Sequence, residues 1–379
     1  MNAGANAGVQ DLGKLYETLA GYASRMALRF GGPVALVTWL LAWAVNGARN
    51  PVPFTGDPLS FGALTFFFGI LSAFLVGAAA FIVGIRYRNR LAPAHLHKSW
   101  LWPFLPLAVT HALVVGLFLG LGIQFVDQAF KGLALPPVYS HLVVGIACGL
   151  VAYMVANRSL QMHVQRVAGL FVTVLVAGVA VSILTVNRPL WWEHSFSFLG
   201  MQGSSARIVF NFTLIMSGIL LIVLQQFFLD DFVELRERHM ISPRTVRWMR
   251  VSLVALGVVM ALIGLIPFGQ GGLRDQIHDL SAYSVAGILL LYMLSVRKLV
   301  PYFSPEFYTM TWGMAALLVL VVTLHLVGSI NTVGVELLSF VLGGAWFLLF
   351  IKNVDLLAEH LNQYQERSYA KIDKQSPSR

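Results

Sequence analysis

In a largely apolar sequence, a few residues carry the functional groups of hydrolysis or acyl transfer. The segment NRPLWWEHSFSFLGMQGSSAR (187–207) supplies Ser195, Ser197 and Arg207, and Asn211 follows one helical turn later. Asp275, His278 and Asp279 stand at i, i+3 and i+4, a spacing that places them on one helix face. His325 and Glu336 follow further along the chain. In a hydrolytic or acyl-transfer reading, Ser195 or Ser197 is the possible nucleophile, His278 or His325 the general base or a metal ligand, and Asp275 or Asp279 the carboxylate that assists the histidine. In that reading the catalytic candidates are Ser197, His278, Asp279 and His325. Arg207, Asn211, Glu336 and Asp275 are the substrate-binding candidates, with Arg207 anchoring a phosphate or carboxylate.

Two other readings account for the same residues. One is a solvated rim of loop ends, with Trp191 and Trp192 as interfacial aromatics. The other is a pocket that binds or translocates a lipid or other amphiphile. His325, Glu336 and Asn211 weigh against the rim, because they lie deeper than the headgroups and need partners there. The sequence names no cofactor and no metal: H-E-x-x-H, G-x-S-x-G, a phosphate-binding glycine loop and cysteine-based zinc spacing are all missing. His95 and His97, in AHLHKSW, read as a solvated loop in preference to a metal pair. His111 lies alone in an apolar stretch, where a histidine is a helix-packing hydrogen bonder more often than a haem ligand. Cys148 is the only cysteine, which excludes intrachain disulfides.

The elements that must hold these groups are membrane helices. Of 379 residues, 57% are hydrophobic and 11% charged, against roughly 25% charged in soluble domains. Apolar runs at 31–47, 60–85, 101–125, 137–156, 167–186, 206–229, 249–268, 277–296, 311–329 and 333–351 approach or exceed the ~20 residues that cross a bilayer core. The predicted fold is therefore all-α, a polytopic transmembrane bundle of about ten spans. Basic residues give its orientation. Arg49, Lys131, Arg188, Arg207 and Arg274 fall in alternate segments, and the other 21 of 26 fall in the remaining ones. Under the positive-inside rule, both termini are cytoplasmic and the chain belongs to the inner (cytoplasmic) membrane. The same rule accounts for the net charge of +9, so nucleic acid is not an expected partner and membrane lipid is.

The expected organisation is a cytoplasmic amphipathic segment at 1–30, a four-helix membrane region at 31–156, a six-helix core at 165–352 and a polar tail at 353–379. No removed signal peptide is expected, since no short apolar core precedes a small-residue cleavage site. The loop 230–248 mixes acids and bases and reads as a short surface helix broken at Pro243. It is a charged connector or a docking site for a protein partner or anionic lipid. An internal echo links HLVVGIACGLVAYMVANR from His141 with HDLSAYSVAGILLLYMLSVR from His278, as a parallel duplication of spans 1–4 and 5–8 would.

The segments SFSFLGMQGSSAR, IVFNFTLIMSG, GLIPFGQGG and IHDLSAYSVAG occur in an order that resembles a bacterial membrane family of unknown function, distantly related to the FRAG and DRAM membrane proteins. The resemblance covers about 165–355. It implies a six-helix core and a place in membrane-lipid or lipid-anchor biology, and it marks Ser197, Asn211 and His278, with Pro267 shaping a turn. The expected function is to bind or process a lipid or lipid-linked envelope substrate at the outer half of the bilayer. A transporter, and a non-catalytic subunit or assembly factor, are the alternatives.

The charge asymmetry makes a topological prediction. Single cysteines placed in 187–206 of a Cys148→Ala background should react with an impermeant maleimide in intact cells. Cysteines in 241–247 should react only after lysis, and the reverse pattern would invert the assignment.

Overall fold

The structure, a computed structural model, describes the backbone of residues 3–47, 49–91, 102–237 and 241–375. Side chains are described for 20–47, 49–88, 102–228, 241–354 and 356–357. Ten α-helices follow one another: α1 (Ala3–Asn46), α2 (Phe61–Leu91), α3 (Phe104–Ala129), α4 (Pro137–Leu160), α5 (Val164–Thr185), α6 (Arg207–Glu237), α7 (Pro243–Leu265), α8 (Leu273–Leu299), α9 (Pro305–Leu326) and α10 (Thr332–Gln375). Each contains a stretch long and apolar enough to cross a membrane, so the chain is a multi-pass helical membrane protein. Large apolar side chains such as Ile208, Tyr283 and Leu326 lie on the outside of these helices, as they do where lipid is the solvent.

Helix starts follow the local sequence. Pro243 and Pro305 each occupy the first helical position, where a missing N–H costs nothing. The preceding serines cap these helices: Ser242 Oγ accepts from Thr245 N at 3.1 Å, and Ser304 Oγ from Phe307 N at 3.3 Å. Pro243 therefore opens α7 and breaks no surface helix. Residues 230–237 continue α6 as one helix, which corrects the separate short helix expected there. At the N-terminus likewise, α1 runs unbroken from the expected surface segment through Pro33 into the first span. Helix α10 continues into the tail as far as Gln375. His95 and His97 lie outside the described residues, as do the side chains of 229–240 in the expected docking stretch.

The chain divides into two compact units, Asp11–Met162 and His163–Arg379 with Met1–Gln10. In the first, α2 packs against α3 and α4. Gly31 of α1 and Gly149 of α4 lie back to back: a Cβ on Gly31 would stand 2.9 Å from the Gly149 carbonyl oxygen. Strands β1 (Val52–Pro53) and β2 (Ala134–Leu135) pair antiparallel, with Val52 opposite Leu135. In the α1–α2 connection, the Leu59 N–H and then the Arg49 guanidinium, 2.8 Å away, hold the Asp57 carboxyl below its ordinary pKa. His111 donates from Nδ1 to its own helix at Leu107 O, 2.8 Å, and its Nε2 has no partner among the described residues. The expected interhelical bond is therefore not seen there.

In the second unit α6 is central. It packs on α5 and α7, and its span is 61% buried, against 22–44% for the other spans of this unit. Glycines permit the closest approach of α6 and α7. A Cβ on Gly218 would lie 2.3 Å from Gly257 O, and one on Gly257 would lie 2.6 Å from Gly218 O. Further along, Trp346, Phe350, Tyr292 and Phe228 fill the core, with Trp346 Nε1 donating to Thr311 Oγ1 at 3.0 Å.

Gly218→Val should push α6 and α7 apart. Overpacking of this kind costs about 1–3 kcal/mol, so the melting temperature in detergent should fall by several degrees. Gly344→Val, where no atom lies within 4 Å of the added Cβ, should melt like the parent.

Candidate functional site

The site lies at the end of the second unit where α6, α8 and α10 begin. The α7–α8 connection, IPFGQGG, is a tight turn whose Gly269, Gly271 and Gly272 have φ of 85°, 81° and 62°, angles that favour glycine. Its amides need acceptors, and Asp275 in the first turn of α8 supplies them. Oδ1 accepts from Gly269 N and Gln270 N, both at 3.0 Å, and Oδ2 from Gly271 N at 3.1 Å. Asp275 thus organises the turn, and its carboxylate makes no hydrogen bond to His278.

One turn along the same face of α8, His278 is 2% exposed and bonded at both ring nitrogens. Nδ1 lies 2.7 Å from the Ile266 carbonyl, and Nε2 lies 2.8 Å from Ser197 Oγ. A carbonyl only accepts, so Nδ1 carries the proton and donates to Ile266 O. In the neutral ring Nε2 is then an acceptor, and the Ser197 hydroxyl donates to it. The orienting group expected for this histidine was a carboxylate from Asp275 or Asp279, and the structure puts a backbone carbonyl in that place. Asp279 lies exposed, with no hydrogen bond among the described residues.

Ser197 belongs to a 3-10 helix, Phe196–Gly200, pinned at both ends. Phe196 N donates to Glu336 Oε2 of α10 at 2.7 Å, and Asn211 Nδ2 of α6 donates to Gly200 O at 3.0 Å. Gly200 fits because it lacks a Cβ, which would fall 2.3 Å from Asn211 Oδ1. Arg188 donates to Gln202 O at 3.2 Å and covers one side of the Phe198 ring, and His194 stacks on Phe198 at 4.5 Å. Asn331 Nδ2, ahead of α10, donates to Trp192 O at 3.0 Å. His325 closes the α9–α10 turn, with Nδ1 3.2 Å from Ile330 O. It is not paired with Ser197, although it and Asp279 both lie within electrostatic range of Glu336.

The structure therefore joins Ser197 to His278 directly and ties Asn211 and Glu336 to the helix that bears Ser197. It leaves Asp279 and His325 outside the pair. Beside the pair opens a groove of about 860 Å³, walled by apolar groups including Ile208, Phe212, Ile215 and Leu265. Arg207 and Arg274 stand on its lining, with Asn211 between apolar neighbours. Arg274 also bonds Gln270. Neither Ser197 nor His278 is on the groove's lining, but two lining residues adjoin the pair. Ile266 supplies the carbonyl that holds His278, and Ile277 precedes His278 in α8. In the sequence Arg274 counts only toward the charge asymmetry, and nothing marks the Ile266 carbonyl. A basic residue opening each of α6 and α8, where the helix dipole disfavours a cation, was the available signal for Arg274. A backbone acceptor leaves none.

Comparison with protein-family models, curated proteins and solved structures finds no match to this chain.

Glu336 should be a brace for the serine-bearing helix. Glu336→Ala leaves the Phe196 N–H without its acceptor, at a cost of about 1–3 kcal/mol, and should lower the melting temperature. Glu336→Gln retains an acceptor oxygen and should recover most of that loss. Equal melting of both variants and the parent would remove the bracing role.

Proposed function

We propose that the protein binds an anionic amphiphile, a lipid or lipid-linked molecule with a phosphate or carboxylate headgroup, in the groove between α6, α7 and the start of α8. The carrying observation is the pair of arginines, Arg207 and Arg274, on the lining of one largely apolar groove. Arg207 and Arg274 occupy the first turns of α6 and α8, so two positive helix ends and two guanidinium groups serve the same cavity. Concentrating like charge is unfavourable for the protein alone and favourable once an anion sits between the groups. The apolar wall suits an acyl or prenyl tail.

Binding accounts for this geometry better than translocation. Continuing inward from the groove, α6 and α7 close on each other at Gly218 and Gly257, and the aromatic cluster around Trp346 follows. The positive-inside argument favours the outer leaflet of the cytoplasmic membrane for the groove, and the resemblance to a bacterial family distantly related to the FRAG and DRAM proteins supports the same lipid setting.

The test uses the purified chain in nanodiscs of zwitterionic lipid. Fluorescent lysophosphatidate and a fluorescent fatty acid should bind in competition with each other, and lysophosphatidylcholine should bind more weakly. Arg207→Ala with Arg274→Ala should lower affinity for the anionic ligands at least tenfold, roughly the worth of one charge-assisted hydrogen bond. Ligand preference unchanged in the double variant would overturn the reading. Competition by only one of the two ligands identifies the headgroup.

A further inference from the structure

We infer that Ser197 is a nucleophile and His278 its general base, acting on a carboxylic ester of the amphiphile in the adjoining groove; the substrate class rests on the headgroup reading above. The pair has the features this chemistry requires. Ser197 Oγ is 2.8 Å from His278 Nε2, within the range for proton transfer. The tautomer is fixed by Ile266 O on Nδ1, so the basic lone pair faces the hydroxyl. The imidazole is buried, while Ser197 as a residue is partly exposed.

A purely structural bridge between loop and helix would not need Ser197 on so heavily braced a segment. Glu336 fixes one end of the 3-10 helix, Asn211 fixes the other, and the Phe198 ring between them is covered by His194 and Arg188. Preorganisation of a nucleophile and its base by packed, hydrogen-bonded neighbours is what a covalent step demands. Asn211 also lines the groove, so one side chain touches both the ligand cavity and the helix that carries the nucleophile.

The step balances without any further group. Ser197 Oγ bonds to the ester carbonyl carbon as its proton passes to His278 Nε2. The resulting imidazolium keeps its Nδ1–H on Ile266 O. Collapse breaks the bond from carbonyl carbon to alcohol oxygen, and the leaving alcohol takes the proton from Nε2. Water, or the hydroxyl of a second amphiphile, then gives its proton to Nε2 and attacks the acyl-serine. The acyl group leaves as a carboxylic acid or a new ester, and the proton returns to Ser197. The first outcome is hydrolysis and the second is transacylation.

An alkyl fluorophosphonate tests the pair in the full-length protein in nanodiscs. The wild type should gain one adduct, located on Ser197 by peptide mass spectrometry, and Ser197→Ala should gain none. His278→Asn should be labelled at least about a hundredfold more slowly, in preparations that retain lysophosphatidate binding. If that variant does not fold, Ser197→Cys serves instead, because its thiol should be alkylated by iodoacetamide at neutral pH much faster than the buried Cys148 of the wild type. A wild type that binds anionic ligand normally yet takes no label at Ser197 overturns the nucleophile and leaves the binding reading standing. So does a folded His278→Asn labelled at the wild-type rate. Labelling of Ser197 in a protein with no preference for anionic ligands supports the nucleophile and overturns the headgroup reading alone.

Discussion

A backbone that leaves a helix at the edge of a bilayer carries amide groups that hydrocarbon cannot satisfy. Most of the arrangement around Ser197 follows from that requirement. The α7–α8 turn exposes three successive N–H groups, and the carboxylate of Asp275 takes all three. The same turn leaves the Ile266 carbonyl free, and His278, one helical turn beyond Asp275, donates to it. Once Nδ1 is spent on a carbonyl, Nε2 must find a donor, and Ser197 is the hydroxyl that the 187–206 loop presents. Hydrogen bonding at one turn thus sets the tautomer and orientation of an imidazole, and the imidazole in turn sets the direction of a serine O–H.

The loop that carries Ser197 is held by the helices it crosses. Its 3-10 helix has five residues and little stability of its own. Its position is fixed because Glu336, Asn211 and Asn331 come from two helices and a helix-preceding turn and bond to its backbone or to that of the turn before it. Side-chain acceptors and donors from the rigid bundle replace the regular backbone ladder that such a loop lacks. The groove beside it is a different product of the same packing. Helices α6 and α7 stay in close contact from Gly218 and Gly257 to Gly264, where an added Cβ would lie 2.5 Å from Asn211 O, and the groove lies beside that seam, lined by Ile208, Phe212 and Ile215.

The ten spans were legible because lipid imposes one rule on every residue of a helix, and apolar length alone carries that information. The helix ends were less so. Span seven was read from residue 249, yet α7 begins at Pro243, because Ser242 and Pro243 make a good start even before apolar residues dominate. Polar character misled in the opposite direction at 230–237, where charge suggested a separate helix and the backbone simply continues α6. In the site, the i, i+3 spacing located Asp275 and His278 on one face but could not assign their partners. Asp275 was expected to serve histidine and serves a turn instead. That choice depends on where GQGG folds back, a tertiary fact with no local signature. His325 looked equivalent to His278 by residue type, and differs because its Nδ1 bonds the carbonyl of its own turn.

The comparison of His141 with His278 shows how much the loop contributes. The two histidines stand near the starts of α4 and α8 in sequences that echo each other, and both are buried. His141 packs edgewise on Trp43 with ring centroids 4.6 Å apart, and neither of its nitrogens has a partner among the described residues. His278 has a carbonyl on one side and a hydroxyl on the other. The helix brings an imidazole to the membrane edge in both cases, and only the segments that fold over it decide what the imidazole can do. The difference between the two histidines therefore resides less in the spans than in two short connections, IPFGQGG and SFSFLG, which meet at His278.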